Sequence, residues 1–282
     1  MRGQISRLGA SALAALLVAC SPASLLNVTV PRSGYRVVRD LAYGADPRQK
    51  LDLYIPDGLK TSAPVILFFY GGSWDSGSKS WYLAFGQAFA SKGIVVAIAD
   101  YRVYPQVKYP AFVEDSASAF RFVHENVARY GGDPNRLFLA GHSAGAYNAV
   151  MLASDPRYLR EVHADPVWIR GVIGISGPYD FLPLKSPELI NIFGGDRREE
   201  TQPIRYIDAK RPPMLLVTGS DDTTVLPRNT KRMAARLRSF GTDVREIVYP
   251  DVAHIGIILS VAKPFRARTT LREDIVTFVT TH

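Results

Sequence analysis

The stretch Gly141-His142-Ser143-Ala144-Gly145 decides the fold of this 282-residue chain. It follows the apolar run 136–140 and leads into a helical pattern over 144–154. This order predicts a serine on a sharp strand-to-helix turn, where small residues are needed because strand and helix pass close together. Such a turn exposes the serine hydroxyl at the end of a sheet and directs the next backbone N–H to the same point.

Apolar runs and helical patterns alternate along the chain from residue 35 onward. Several runs are continuous, such as 65–69 and 95–99, which is typical of strands buried on both faces of a parallel sheet. The sequence therefore predicts an α/β fold, with a mostly parallel eight-stranded sheet between helical layers on both faces. The predicted strands are 35–42, 51–55, 65–70, 94–99, 136–140, 171–175, 214–218 and 244–249. The predicted helices are 80–91, 111–130, 144–154, 229–240 and 271–281, and the proline-rich segment 178–213 is predicted to form a small cap excursion over the site.

A serine hydroxyl becomes a nucleophile only with a base within hydrogen-bond reach, and that base needs an orienting carboxylate. A serine on such a turn resembles the nucleophile of the α/β-hydrolase arrangement, in which the acid and the histidine follow the serine in that order. Three histidines follow Ser143. His163 precedes any plausible acid, and His282 is terminal and expected to fray. The predicted base is therefore His254, in a loop after the last predicted strand.

The acid is expected directly after the predicted strand 214–218. Asp221 and Asp222 both stand there, and Asp251, close to His254 in sequence, is a weaker rival. The 32 residues from Asp222 to His254 leave room for the one helix and one strand that the fold requires. The residues alone leave the choice between the two neighbouring aspartates open.

A glycine pair stands at the end of the predicted strand 65–70, in the stretch Tyr70-Gly71-Gly72-Ser73-Trp74. Glycines at such a point let backbone N–H groups converge without a Cβ in the way. With the N–H of Ala144, those of Gly71 and Gly72 are predicted to form an oxyanion hole. The side chains that follow, Ser73, Trp74, Trp81 and Tyr82, are predicted to border a substrate pocket, with packing of the next helix as the alternative.

These motifs together resemble the α/β-hydrolase superfamily, in the branch of hormone-sensitive-lipase-like and acetyl-xylan/feruloyl-esterase-like carboxylesterases. Kynurenine formamidases and prenylcysteine methylesterases are neighbouring groups. The resemblance covers about residues 35–282. It includes the stretch QKLDLYIP at 49–56, Asp100-Tyr101-Arg102, and Tyr109-Pro110-Ala111 with Asp115.

The resemblance implies a triad of Ser143, Asp222 and His254, because Gly219-x-x-Asp222-x-x-Val225 is similar to the acid loop of the superfamily. It also implies an oxyanion hole at the glycine pair, and chemistry that needs no metal or organic cofactor. The chain departs from the branch at Tyr70, where many members have a histidine that braces the loop. We expect a small-molecule ester as substrate, small or aromatic, cleaved through an acyl-enzyme intermediate.

Two other functions fit the same motifs. The stretch 71–74 also resembles the G-G-x-W motif of kynurenine formamidases, which would make the chain an amidase. A non-catalytic, membrane-tethered binding protein on a hydrolase fold is the second alternative. Such proteins typically lose a triad member, whereas all three candidates are present in this chain.

The N-terminus carries the pattern of a targeting segment. Arg2 and Arg7 precede an apolar stretch of 12 residues, 8–19, which is too short to span a bilayer as a helix. The stretch is followed directly by Cys20, the only cysteine, in a context that resembles a bacterial lipobox. An ordinary secretory leader is the alternative. The expected organisation is a signal peptide over 1–19, a tether over 20–34 and a catalytic domain over 35–282. Lipid on Cys20 would hold the protein on a membrane surface in the cell envelope.

The net charge of +8 raises the question of an anionic partner. Five cations fall on the predicted helix 229–240 or at its start. A solvated helix face is the favoured interpretation, because no nucleic-acid motif accompanies these charges. No nucleic-acid partner is therefore expected, and the sequence makes no prediction of the oligomeric state.

Overall fold

A computed structural model describes residues 27–282. The predicted signal peptide, the lipidation site Cys20 and the first part of the predicted tether lie outside the described residues. Within the part of the chain that is described, no helix has the length and apolarity needed to cross a bilayer.

An eight-stranded sheet runs through the described residues in the spatial order β1-β2-β4-β3-β5-β6-β7-β8. The strands are β1 (Tyr35–Ala42), β2 (Lys50–Pro56), β3 (Ala63–Phe69), β4 (Val95–Ala99), β5 (Gly132–His142), β6 (Ile169–Ile175), β7 (Met214–Gly219) and β8 (Val244–Tyr249). Strands β3 to β8 are parallel to one another, whereas β2 is antiparallel to both β1 and β4. This confirms the predicted mostly parallel sheet of eight strands.

Helices cover the sheet and connect its strands. They are α1 (Leu83–Ala90), α2 (Ala111–Asn126), α3 (Ala144–Ser154), α4 (Arg157–Glu161), α5 (Pro187–Phe193), α6 (Arg228–Ser239), α7 (His254–Leu259) and α8 (Leu271–Thr281). The strands β3 and β4 are almost wholly buried, as their continuous apolar runs require. Because β3, β5, β6 and β7 are parallel, their carboxyl ends lie at one edge of the sheet. The loops that carry the predicted site begin at this edge.

The predicted helix 80–91 is divided in the structure. A 3-10 turn, Lys79–Tyr82, precedes α1. The reason lies in Lys79, whose backbone N–H donates to the Asp100 carboxylate at 2.7 Å. Its buried ammonium group pairs with Asp40 and Asp52 at 2.7 and 2.8 Å. These three contacts of Lys79 hold the backbone in the 3-10 turn, and the α-helix begins only after it.

The segment that precedes β1 packs on the domain. Val30 is buried, and the Asn27 side-chain amide donates to the Ser80 carbonyl oxygen at 2.7 Å. The described end of the predicted tether is therefore attached to the turn Lys79–Tyr82 and does not hang free of the domain.

Candidate active site

Ser143 lies between β5 and α3 with φ 55° and ψ −122°, a strained conformation for a residue with a Cβ atom. Two glycines make this turn possible. A Cβ atom on Gly141 would lie 2.2 Å from the Gly145 oxygen, and one on Gly145 would lie 2.0 Å from the Phe69 oxygen. The small residues of the pentapeptide are thus required by the close approach of α3 to β5 and β3, as predicted.

The three predicted triad side chains are connected by hydrogen bonds. The Ser143 hydroxyl donates to His254 Nε2 at 2.9 Å, and His254 Nδ1 donates to the Asp222 carboxylate at 2.7 Å. His254 is the first residue of α7, so the expectation that it stands in a loop was wrong. The helix follows directly because the apolar residues after His254 recur at helical spacing and pack on the domain.

Asp222 is buried, with 1% of its surface exposed. Its second carboxylate oxygen accepts the N–H groups of Thr224 and Val225 at 3.1 and 2.8 Å. Burial acts to raise its pKa, but the hydrogen bonds from His254 and Val225 outweigh burial, and the pKa lies below its ordinary value. The carboxylate therefore stays ionised beside the imidazole. Asp221, its neighbour, is exposed to solvent.

The rival Asp251 is also exposed. Its backbone N–H donates to the Ser220 hydroxyl at 2.8 Å, and the same hydroxyl donates to the Asp221 carboxylate at 2.8 Å. These two aspartates belong to a small surface network beside the site. Among the candidate acids, the structure brings only Asp222 to the histidine.

His142 supports the backbone of His254. Its Nε2–H donates to the carbonyl oxygen of His254 at 3.1 Å, and the two rings lie 4.8 Å apart. Burial, and then the neighbouring His254, lower the pKa of His142 to about 3. A neutral ring beside the base adds no positive charge that would oppose protonation of His254. The sequence offered no signal for this role, since the position is a spacer in the pentapeptide.

The loop after β3 presents backbone N–H groups beside Ser143. The N–H groups of Gly72 and Ser73 in this loop, and that of Ala144 at the start of α3, donate to no other group of the described residues. The N–H of Gly71 interacts instead with the Tyr82 hydroxyl. Ser73 is therefore a further candidate donor that the sequence did not identify, and Gly71 is the member of the predicted set that already has a partner.

Tyr70 stabilises this loop through two hydrogen bonds. Its hydroxyl accepts a hydrogen bond from Arg48 at 2.9 Å, and its carbonyl oxygen accepts one from Tyr101 at 2.7 Å. Arg48 also donates to the Gly77 carbonyl oxygen at 2.9 Å. The tyrosine thus braces the loop, as the resemblance implied for the histidine that usually stands there. Arg48, just before the motif at 49–56, was missed because its partners are distant in sequence.

Two cavities meet at Ser143. Cavity A, of about 360 Å³, is lined by Ser73, Trp74, Ser143, Ala144, Pro178, Phe181, Pro183, Leu184, Lys185, Ser186, Leu189, Thr223, Thr224, Val225, Leu226, Arg228 and Asn229. Cavity B, of about 390 Å³, is lined by Gly71, Gly72, Ser73, Trp81, Tyr82, His142, Ser143, Thr224, His254, Ile255, Ile258 and Leu259. All four predicted pocket residues thus line a cavity, and the predicted excursion 178–213 supplies a wall of cavity A.

Part of each cavity wall was not foreseen from the sequence. Ile255, Ile258 and Leu259 of α7 line cavity B, and their helical spacing directly after His254 is the signal that identifies them in retrospect. Leu226 and Ile255 stand at the mouths of the two cavities with 41% and 50% of their surfaces exposed. Large exposed apolar side chains at a site of this kind favour contact with an apolar ligand.

Comparison with known proteins gives a family match over most of the domain. The BD-FAE family model matches residues 51–237. A probable isoprenylcysteine alpha-carbonyl methylesterase from Arabidopsis thaliana is 32% identical over 86% of the chain and 56% of its own length. A rice relative of the same description is 31% identical over 95% of the chain and 70% of its own length. The chain thus spans 56% and 70% of the length of these two relatives.

Solved structures show the same architecture. A truncated carbohydrate esterase from gut microbiota superposes with a TM-score of 0.77 over 89% of this chain and 98% of its own length. The two sequences are 20% identical, so this likeness concerns the fold. Together with the sheet order, it confirms the predicted α/β-hydrolase fold.

Proposed function

This chain belongs to the BD-FAE family, and from that membership we propose that it is a serine carboxylic-ester hydrolase that forms an acyl-enzyme intermediate. Its substrates are esters with small or aromatic groups. The methylesterase and esterase names of the relatives support ester hydrolysis over the amidase alternative. The aromatic side chains of Trp81 and Tyr82 beside the serine support the substrate class.

The observation that carries the proposal is the unbroken chain of hydrogen bonds from Ser143 through His254 to Asp222. In the first step, His254 Nε2 takes the hydroxyl proton as Ser143 Oγ attacks the ester carbonyl carbon. The carbonyl oxygen becomes an anion and accepts hydrogen bonds from the backbone N–H groups of the loop after β3 and of Ala144. One such donor lowers the barrier by roughly 3–4 kcal/mol.

The intermediate collapses when the bond between the carbonyl carbon and the alcohol oxygen breaks. His254 gives its proton to that oxygen, and the alcohol leaves while the acyl group stays on Ser143. Water then repeats the sequence, with His254 as base, and releases the acid. Throughout, Asp222 holds the Nδ1–H of His254 and stabilises the charged ring.

Hydrolysis of p-nitrophenyl acetate and butyrate by the wild type and by Ser143→Ala tests the mechanism. We expect the substitution to lower kcat/KM by at least about 10³-fold, with an unchanged melting temperature. The exposed Ser239→Ala serves as the matched control and keeps full activity. A Ser143→Ala variant as active as the wild type would overturn the proposal. Labelling of the wild type by a fluorophosphonate probe, lost in Ser143→Ala, separates a serine hydrolase from a non-catalytic binding protein.

For the location of the enzyme, we propose a lipid anchor on Cys20 that holds it at a membrane surface of the cell envelope. The support comes from the sequence alone: a short apolar stretch that is followed directly by the only cysteine. In cells that process lipoproteins, wild-type protein should incorporate labelled palmitate and sediment with membranes. Cys20→Ala should do neither, and equal labelling of both would contradict the anchor.

A further inference from the structure

The charged side chains that line the two cavities all carry the same sign. Lys185 and Arg228 line cavity A, and no aspartate or glutamate lines either cavity among the described residues. Cavity B is lined by no lysine or arginine from this part of the chain, and its walls are largely apolar. The site is therefore electrostatically asymmetric about Ser143, with positive charge on one side only.

Neither cation has an acidic partner within residues 27–282. Other exposed arginines of the same helix do: Arg232 pairs with Asp180 at 2.8 Å and Arg238 pairs with Glu246 at 2.9 Å. Lys185 and Arg228 form no ion pair and donate no side-chain hydrogen bond to a described residue. Their charges are thus free to act on a ligand in cavity A.

The position of Arg228 makes this arrangement costly for the fold. It is the first residue of α6, and the first turn of that helix contains no acidic residue. Helix N-termini carry partial positive charge, so an arginine there is unfavourable, and an acidic residue would be the stabilising choice. The charge at this position therefore has no evident structural benefit, and it adds to the positive potential at the mouth of cavity A.

We infer that the substrate is an ester that carries a carboxylate on the half that occupies cavity A, while cavity B takes an apolar half. This inference rests on the proposed esterase function and specifies its substrate class. Two unpaired cations attract such a group and orient the ester before attack. The apolar floor of cavity A, which includes Trp74 and Phe181, accommodates the carbon chain or ring that connects the carboxylate to the ester.

Two pairs of matched substrates test the inference, because the carboxylate can belong to either half of the ester. In the first pair it is on the acyl side: mono-p-nitrophenyl glutarate against its neutral amide analogue, the p-nitrophenyl ester of glutaric acid monoamide. In the second pair it is on the alcohol side: 4-acetoxybenzoate against 4-acetoxybenzamide. We expect kcat/KM to favour the anionic member of one pair by roughly tenfold at low salt. The preference should shrink at about 1 M sodium chloride, where the screening length falls to about 3 Å.

Charge-removing variants identify the side chains responsible. The double variant Lys185→Gln/Arg228→Gln should lose the preference, so that the anionic and neutral members are cleaved with a ratio near one. The control, Lys231→Gln/Lys263→Gln, removes the same charge from exposed positions outside both cavities and should keep the wild-type ratio. Because each result is a ratio within one protein, a general loss of folding or activity does not alter it.

Wild-type ratios at or below one in both pairs would overturn the inference, as would an equal loss of preference in the control variant. That result leaves the esterase proposal intact if the neutral esters are cleaved in a manner that depends on Ser143. If no ester of either pair is cleaved, and p-nitrophenyl butyrate is not cleaved either, the proposed function itself fails.

Discussion

Asp222 and Asp221 are neighbours in sequence, but only Asp222 accepts hydrogen bonds from His254 and from two backbone N–H groups. Asp222→Asn keeps the size of the side chain but favours the wrong histidine tautomer, and we expect kcat to fall about 10⁴-fold. Asp221→Asn is the matched control, because its side chain is exposed and lies outside the triad. Steady-state hydrolysis of p-nitrophenyl butyrate measures both, and equal losses in the two variants would contradict the assignment.

His142 makes the fold sensitive to acid. Burial lowers its pKa from 6.5 to about 3, so the folded protein keeps the ring neutral while the unfolded chain protonates it below about pH 6.5. The unfolded state therefore binds more protons between these values, and stability is lost as the pH falls through that window. From about pH 7 to about pH 4, we expect the wild type to lose about 3 kcal/mol more than His142→Gln.

Urea unfolding of the two proteins at several pH values measures this difference. The glutamine retains an N–H donor for the His254 carbonyl oxygen, so the comparison isolates the titrating ring. The two proteins share every other acid-sensitive group. Parallel stability curves across the whole pH range would show that His142 titrates in the folded state as it does in the unfolded chain.

At the residue scale, the sequence identified the side chains of the triad but not the backbone donors beside them. Ser143 and His254 follow from chain order, because each comes within a few residues of a predicted strand. Asp222 was preferred over Asp221 only through the resemblance to the acid loop of the superfamily. The oxyanion donors depend on the direction of single N–H groups. The positive φ angles of Gly72 and Ser73, 138° and 49°, set those directions, and no sequence pattern specifies them.

At the scale of elements, the contact between α3 and β3 depends on Gly145. Gly145→Ala would place a Cβ atom 2.0 Å from the Phe69 oxygen, so we expect insoluble protein or a loss of more than about 4 kcal/mol of stability. Gly256→Ala in α7 is the matched control. Its Cβ atom would meet only Val252, at 3.6 Å, and alanine favours a helix over glycine by about 1 kcal/mol. Soluble yield and melting temperature measure both, and two similar melting temperatures would contradict the argument.

Some elements were predicted with their bounds nearly right, and three short helices were missed. The longest strand, β5, covers Gly132–His142 where 136–140 was predicted, and the predicted helix 111–130 is α-helical only to Asn126. The strand Val244–Tyr249 and the helix Ala144–Ser154 have the predicted limits because their patterns end at turn residues. The helices α4, α5 and α7 have five to seven residues each, too few for a periodic signal. They form because neighbouring parts of the domain bury them, and such tertiary contacts cannot be read from a local pattern.

At the scale of the whole molecule, the segment before β1 stabilises the domain. A variant that begins at Tyr35 loses the buried side chain of Val30 and the hydrogen bond from Asn27 to the turn Lys79–Tyr82. We expect its free energy of unfolding to be about 2 kcal/mol lower than that of a variant that begins at Asn27. Chemical denaturation of the two truncated proteins gives the difference directly. Equal midpoints would mean that residues 27–34 contribute nothing to the fold.

The cavities belong to the whole molecule and were therefore the least predictable feature. Cavity A combines residues from the loop after β3, from the segment 178–213 and from the start of α6. The sequence predicts that the segment 178–213 forms an excursion over the site, but it does not predict which side chains of that segment face Ser143. That information exists only once the sheet has brought loops that are more than a hundred residues apart to one edge.

The backbone of Ser143 has a consequence for how this protein can be improved. Its φ of 55° combined with ψ of −122° favours glycine, and a residue with a side chain pays roughly 1–3 kcal/mol to remain there. We therefore expect the inactive variant Ser143→Gly to have a higher free energy of unfolding than the wild type. A screen for heat resistance alone would therefore select against the serine hydroxyl on which turnover depends. At this position, thermal stability and catalytic activity favour different residues.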